Sequence, residues 1–171
     1  MNELSPSASV GSVTKKEVDM QQSVGKLYLE DLYIGQRFTS ATYVMETARI
    51  KEFAAEFDPQ PFHLDEVAAE RSVFKRLVAS GWHTAAVTMR LLVNGGLPFG
   101  NGLIGFGGEI SWPKPALPGE VLHVESEVLE INPSRSKPNQ AVVTVKAMTL
   151  NQNGETVYQM RAKLLVFKRA S

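Results

Sequence analysis

The chain has 171 residues, 43% of them apolar and 21% charged, which suits a single domain with one sizeable core and excludes two full domains. Its 18 basic residues balance its 18 acidic residues, so no net positive charge is available to attract a nucleic-acid backbone. The absence of cysteine excludes disulfides, thiolate nucleophiles and cysteine-ligated metals, and we expect a cytoplasmic location.

The N-terminal segment differs in composition from the rest of the chain. Residues 1–26 are rich in Ser, Gln, Gly and Lys and lack the apolar core of a secretory signal, so we expect a flexible tail before a single domain at residues 27–171. The longest apolar stretch, "HTAAVTMRLLV", contains Arg90 and is too short to cross a bilayer, so we expect no membrane span. Aromatic and β-branched residues from Arg37 to Met45 predict the first strand.

Two helices and a loop are predicted next. Apolar residues at helical spacing predict a helix from about Ala48 to Glu56, with Thr47 as its N-cap. Pro59 and Pro61 predict that "DPQPFH" is a stiff, non-helical loop. In the following "EVAAE" segment we expect a short helix whose N-cap is Asp65.

A second long helix and a run of strands complete the prediction. Apolar residues on nearly every face from Trp82 to Val93 predict a buried helix, capped by the Ser80 hydroxyl. Segments with strand composition follow at 103–112, 120–131, 140–150 and 155–168, and Pro-Gly and Asn-Gly turns separate some of them. The pattern predicts an α+β fold in which an antiparallel sheet wraps around the second long helix.

One loop carries the residues most typical of catalysis. The stretch "EFDPQPFHLDE" places Asp58 near His63, and a carboxylate with an imidazole can orient and deprotonate water. Taken by themselves, an Asp before a proline is more typical of a turn, and a lone His is more typical of a core. A metal site built on "HLD" is a further alternative, but His83 and His123 are not spaced to complete it, so we expect no metal.

Four stretches resemble a known family. They are "YIGQRFTS", "AAEFDPQPFHLD", "LVASGWHTAAVTMRLL" and "GFGGEISWPKPALPGEVL". Together they resemble the MaoC-like dehydratase family, the (R)-specific enoyl-CoA hydratases of the hotdog fold. The sequence departs from the usual family pattern at Gln60, where Asn is common, and at Ser80, where His is common.

The resemblance implies a set of site residues. Asp58 and His63 match the catalytic pair of the family loop. Gly81, at the N-terminus of the second long helix, is expected to offer its backbone N–H to developing negative charge, because the helix dipole favours an anion there. The residues expected to bind substrate are Gln60, Pro61, Ser80 and Trp82.

The resemblance also implies an activity. It is the reversible hydration of a trans-2-enoyl-CoA, or a related acyl thioester, to a 3-hydroxyacyl-CoA, with coenzyme A as part of the substrate and no separate cofactor. Two alternatives stay open: a hotdog acyl-CoA thioesterase, and a non-catalytic subunit that binds acyl-CoA. We expect a homodimer or a higher homo-oligomer, because an exposed sheet edge is stabilised by pairing with a second copy.

Overall fold

The computed structural model describes residues 25–170, so nearly all of the predicted tail lies outside the described residues. The helices are α1 (Thr47–Phe57), α2 (Pro61–Leu64), α3 (Glu66–Arg71) and α4 (Gly81–Leu91). The strands are β1 (Arg37–Thr39), β2 (Tyr43–Val44), β3 (Ile104–Ser111), β4 (Val121–Pro133), β5 (Gln140–Leu150) and β6 (Thr156–Phe167). No helix within residues 25–170 is long and apolar enough to cross a membrane.

The strands form one antiparallel sheet. Its order is β1-β4-β5-β6-β3, and β2 pairs with β4 as well. Along β5, the alternate side chains of Ala141, Val143, Val145 and Ala147 are buried, which is the period of a strand that turns one face to the core. The four strands predicted after residue 100 are therefore confirmed.

Helix α4 packs against the apolar face of this sheet. Val87 and Leu91 of α4 join the same buried cluster as Val124 of β4 and Val145 of β5. Because a buried hydroxyl needs a partner, the 2.6 Å contact between the hydroxyls of Thr88 and Thr149 also ties the helix to β5. The predicted arrangement of an antiparallel sheet around a central helix, the hotdog fold, is confirmed.

The prediction that the second long helix is buried is confirmed for one side of the helix only. Trp82 and Val93 are each 59% exposed and Met89 is 46% exposed. The sheet of one chain covers only one side of α4, so the apolar residues on the opposite side remain at the surface. Arg90 is also at the surface, with its guanidinium carbon 5.9 Å from the centre of the Tyr43 ring.

The first predicted strand is interrupted. β1 ends at Thr39 and β2 begins at Tyr43. Between them, the Ser40 hydroxyl accepts the backbone N–H of Val124 at 2.8 Å, so a side chain replaces a backbone partner and breaks the regular pairing.

Three predictions of helix ends have different outcomes. Helix α1 begins at Thr47 itself, so Glu46 and not Thr47 holds the N-cap position, without a side-chain hydrogen bond. The prediction of a non-helical "DPQPFH" loop is wrong at its end, because Pro61 starts α2, a position where a proline needs no N–H donor. Asp65 is confirmed as the cap of α3, since its carboxylate accepts the Ala68 N–H at 2.7 Å.

We expect Gly108→Ala to lower the free energy of unfolding by about 1–3 kcal/mol, the usual cost of forcing atoms into a packed site. A Cβ at Gly108 would overlap the carbonyl oxygen of Arg161, so β3 would have to move away from β6. Urea unfolding measures this change. The control is Gly105→Ala in the same strand, where a Cβ would meet only the Leu164 side chain at 3.6 Å. Equal stability of the two variants would contradict this strand spacing.

Candidate active site

Two short elements bring Asp58 and His63 together. Helix α1 ends at Phe57, and the backbone N–H of Asp58 still donates to the carbonyl of Ala54 at 3.0 Å, so the Asp58 side chain starts the loop in a defined position. Helix α2 then carries His63 back, and its Nε2 lies 3.4 Å from Oδ2 of Asp58. The sequence-predicted pair is thus in contact.

A backbone carbonyl determines which nitrogen of His63 holds the proton. The imidazole is buried, and its Nδ1 lies 2.8 Å from the carbonyl oxygen of Val78. A carbonyl can only accept a hydrogen bond, so Nδ1 carries the proton in the neutral ring. The lone pair of Nε2 then faces Asp58 and can accept a proton from water.

Both carboxylate oxygens of Asp58 accept hydrogen bonds. The Ser80 hydroxyl donates to Oδ2 at 2.6 Å, and the Gln60 amide donates to Oδ1 at 2.8 Å. The hydrogen bond from Ser80 is the main cause that lowers the pKa of Asp58 below its ordinary value, while the hydrogen bond from Gln60 and the electrostatic attraction of the nearby His63 lower it further. The carboxyl group is therefore ionised at neutral pH.

The N-terminus of α4 forms the other side of the site. Ser80 is fully buried, and its hydroxyl accepts the backbone N–H of Trp82 at 3.2 Å, which confirms it as the N-cap. Gly81 occupies the first helical position, where an N–H has no acceptor within its own helix. The Trp112 indole N–H donates to the Gly81 carbonyl at 2.8 Å, and a Cβ at Gly81 would lie 3.0 Å from that ring. Glycine thus allows Trp112 to pack against the helix start.

A cavity of about 390 Å³ connects these groups. Of the predicted site residues, Asp58, Gln60, His63, Gly81 and Trp82 line it. Ser80 lies behind this wall and Pro61 is at the surface. The rest of the lining is mostly apolar and includes Phe62, Phe74, Val78, Trp112, Pro115 and Ala116. Such a lining suits a ligand with an apolar portion held near a few polar groups.

Sequence reasoning missed several of these lining residues. Trp112 follows β3, and it meets Trp82 with 5.4 Å between ring centres. Lys114, two residues later, also lines the cavity and forms an ion pair with Glu155. The "SWPKP" segment belongs to a stretch that carries the family resemblance, and that was the available signal, but nothing local indicates that it lies beside α4.

The other two histidines lie outside the cavity. The His83 ring stacks on Phe53 at 4.7 Å, its Nδ1 has no hydrogen-bond partner among residues 25–170, and burial lowers its pKa. His123 is on β4, with its Nε2 3.7 Å from Glu125. In the described part of the chain, no three His, Asp or Glu side chains converge as metal ligands.

We expect neutral His63 to be the Nδ1–H tautomer, because the Val78 carbonyl accepts that proton. Nitrogen-15 NMR of the imidazole rings above the pH at which they titrate measures the tautomer. His123 is the control, since its Nδ1 has no such carbonyl partner among the described residues and it should show a mixture of tautomers. A proton on Nε2 of neutral His63 would contradict the geometry.

Comparison with known proteins places this chain in a family. The family model described as "MaoC like domain" matches residues 32–151, which include Asp58, His63 and Gly81. The structure of the MaoC-like dehydratase from Rhodospirillum rubrum is 59% identical, with a TM-score of 0.84 over 85% of this chain and 99% of that chain.

Two further proteins are more distant. The R-hydratase PhaJ1 from Pseudomonas aeruginosa is 26% identical, with a TM-score of 0.67 over 84% of this chain and 88% of that chain. The uncharacterized protein YdeM from Bacillus subtilis (strain 168) is 32% identical over 141 residues, which are 81% of this chain and 97% of YdeM. This chain therefore belongs to the MaoC-like dehydratase family.

Proposed function

We propose that the protein is a hydratase that reversibly adds water to a trans-2-enoyl-CoA and forms a 3-hydroxyacyl-CoA. The observation that carries this proposal is the Asp58–His63 pair, 3.4 Å apart in the wall of a cavity that also receives the N-terminus of α4. The name of the R-hydratase among the similar structures supports the same chemistry and favours an R product.

Asp58 and His63 have separate parts in activating water. The Asp58 carboxylate already accepts two hydrogen bonds and its pKa is lowered, so it is a weak base that keeps its charge and orients the water. Nε2 of His63 has its lone pair free because Nδ1 is bound to Val78. We therefore assign proton removal to His63, with the water hydrogen-bonded from the cavity side to both Nε2 and the Asp58 carboxylate.

The addition then needs a proton for the α-carbon and a hydrogen-bond donor for the negative charge that develops on the thioester oxygen. The water oxygen bonds to the β-carbon, the π electrons of the double bond move toward the thioester oxygen, and His63 receives the proton that the water loses. The Gly81 N–H at the start of α4 stabilises the enolate oxygen, an interaction that strengthens in the transition state. The imidazolium of His63 then gives its proton to the α-carbon, which completes the hydration without any group beyond the substrate and these residues.

The predicted binding residues have different places in this scheme. Gln60 holds Asp58 through its amide, and the exposed Trp82 ring lies at the mouth of the cavity, where we propose that it contacts the thioester. Pro61 acts indirectly, since it starts the helix that carries His63. The apolar lining around Phe62 and Phe74 accommodates the acyl chain.

We expect Asp58→Asn and His63→Ala each to lower kcat at least about a hundredfold, the lower end of general acid–base contributions. Asparagine keeps the size of Asp58 but not its charge, and alanine removes the base. Loss of conjugated-thioester absorbance measures hydration, and release of free thiol measures thioester hydrolysis. Asp65→Asn and His123→Ala make the same changes away from the cavity and should retain activity.

The outcomes separate the alternatives. Near-parental hydration by a folded Asp58 or His63 variant would contradict the role of that residue. Free thiol released as fast as the absorbance falls would show a thioesterase. Saturable acyl-CoA binding by the parent, with neither signal, would show a binding subunit.

We also propose that two copies pair through β3 and the exposed side of α4. β3 is the last strand in the sheet order, so its outer backbone groups have no partner among the described residues. Its Phe106 and Ile110 are 58% and 44% exposed, and Trp82 and Met89 of α4 add further exposed apolar surface. An edge strand pairs with its own copy about a two-fold axis, and this pairing satisfies both edges at once.

Light scattering should give twice the chain mass of 18.8 kDa at micromolar concentration. We expect Phe106→Asp to shift the protein toward the monomer, because a carboxylate on β3 would be buried without a partner. The control is Val67→Asp, on an exposed position of α3. A parental monomer, or a Phe106→Asp protein that dimerises as well as the control, would contradict this interface.

A further inference from the structure

The Ser80 hydroxyl occupies a buried position between two functional groups. It donates to Oδ2 of Asp58 at 2.6 Å and accepts the Trp82 N–H at 3.2 Å. A hydroxyl has a single proton, an ionised carboxylate can only accept, and a backbone N–H can only donate. The direction of both hydrogen bonds is therefore determined, and the proton of Ser80 always points to Asp58.

The first consequence is for the carboxylate. Ser80 holds Oδ2 while Gln60 holds Oδ1, so the plane of the Asp58 carboxyl group is restrained at both oxygens. A hydrogen bond donated to the charged form favours that form. Asp58 is therefore kept as an oriented acceptor and is a poor carrier for the proton that the reaction moves.

The second consequence is for α4. The same Ser80 oxygen caps the first turn, where Gly81 lines the cavity. Trp112 holds the Gly81 carbonyl from the other side. The Ser80 hydroxyl therefore lies between the Asp58 carboxylate, which we propose orients the water, and the Gly81 N–H, which we propose binds the enolate oxygen. A change in Ser80 alters the relative position of these two groups.

We propose that Ser80 is a positioning residue of the hydratase reaction, whose hydroxyl holds the Asp58 carboxylate in one orientation against the first turn of α4. This inference rests on the proposed function and gives Ser80 a role other than substrate contact, since its proton is already donated and its side chain lies behind the cavity wall. A simple N-cap would not need the contact with Asp58, which is the shorter of the two hydrogen bonds.

The kinetic test is a double-mutant cycle of Ser80→Ala and Asp58→Asn. Ser80→Ala should lower kcat about ten- to a hundredfold, the equivalent of a hydrogen bond to a charged group, with little change in KM. In the Asp58→Asn background the same substitution should have little further effect on kcat, because no charged carboxylate is left to orient. An equal loss in both backgrounds would overturn the proposal and leave Ser80 as a cap only.

A second measurement does not depend on activity. In Ser80→Ala, the pKa of Asp58, followed by carbon-13 NMR of the carboxyl group, should rise toward its ordinary value. A lowered folded-state pKa stabilises the protein above the unfolded-state pKa, and this contribution is lost as the pH falls through the folded-state value. The stability difference between the parent and Ser80→Ala should therefore shrink at acidic pH, and in the Asp58→Asn background it should not change with pH.

The control and the outcomes complete the test. Ser134→Ala removes a hydroxyl that accepts the Lys137 N–H on the turn after β4, away from Asp58, and should change neither kcat nor the Asp58 titration. If Ser80→Ala does not fold, Ser80→Cys provides a weaker donor of similar size for both measurements. An unchanged Asp58 titration would overturn the proposal. If the parent protein has no hydratase activity but Ser80→Ala still raises the pKa of Asp58, the contact is confirmed and the proposed function is refuted.

Discussion

The ionised carboxylate of Asp58 is the group on which the rest of the site depends. A charge that is largely removed from water is stable only with hydrogen-bonding partners, and here they are Gln60 in its own loop and Ser80, the residue before α4. If the loop moved away from α4, Oδ2 would lose its closest donor. The loop with the Asp58–His63 pair and the start of α4 are therefore held together, although Asp58 and Ser80 are 22 positions apart.

Helix α4 connects this unit to the sheet. Its inner side packs on β4 and β5, and the Thr88–Thr149 contact satisfies a polar pair within that packing. Its N-terminal turn is held by Ser80 on one side and by Trp112, just after β3, on the other. The position of the proposed enolate donor is thus set by a rigid scaffold, as a pre-organised electrostatic site requires.

The exposed side of α4 shows why composition alone misjudged this helix. Its apolar residues are distributed around the whole axis, which is the usual pattern of a helix surrounded by protein. The single chain provides a sheet on one side only, and Trp82 and Met89 remain at the surface. The apolar pattern indicates that these residues are buried in the functional protein, but it does not indicate whether the same chain or a second copy buries them. In the proposed dimer, the second copy would bury the side of α4 that is exposed in the single chain.

Local sequence patterns determine most of the helices and strands of this protein. Alternating apolar residues in β5 and helical spacing in α1 depend on neighbouring residues, so the strands and the helix could be predicted from them. The short, proline-containing segment between Asp58 and His63 favoured a fixed geometry of the two side chains, whereas the catalytic role proposed for them came from the family resemblance of the loop. The helical turn at Pro61 was missed because a proline is compatible with both a loop and the first position of a helix. Only the tertiary structure decided that Ser80 donates to Asp58, that the Val78 carbonyl selects the His63 tautomer, and that Trp112 packs on Gly81 from 31 positions away. These contacts join distant segments, and their geometry follows from sheet register and helix packing, which no local pattern of residues specifies.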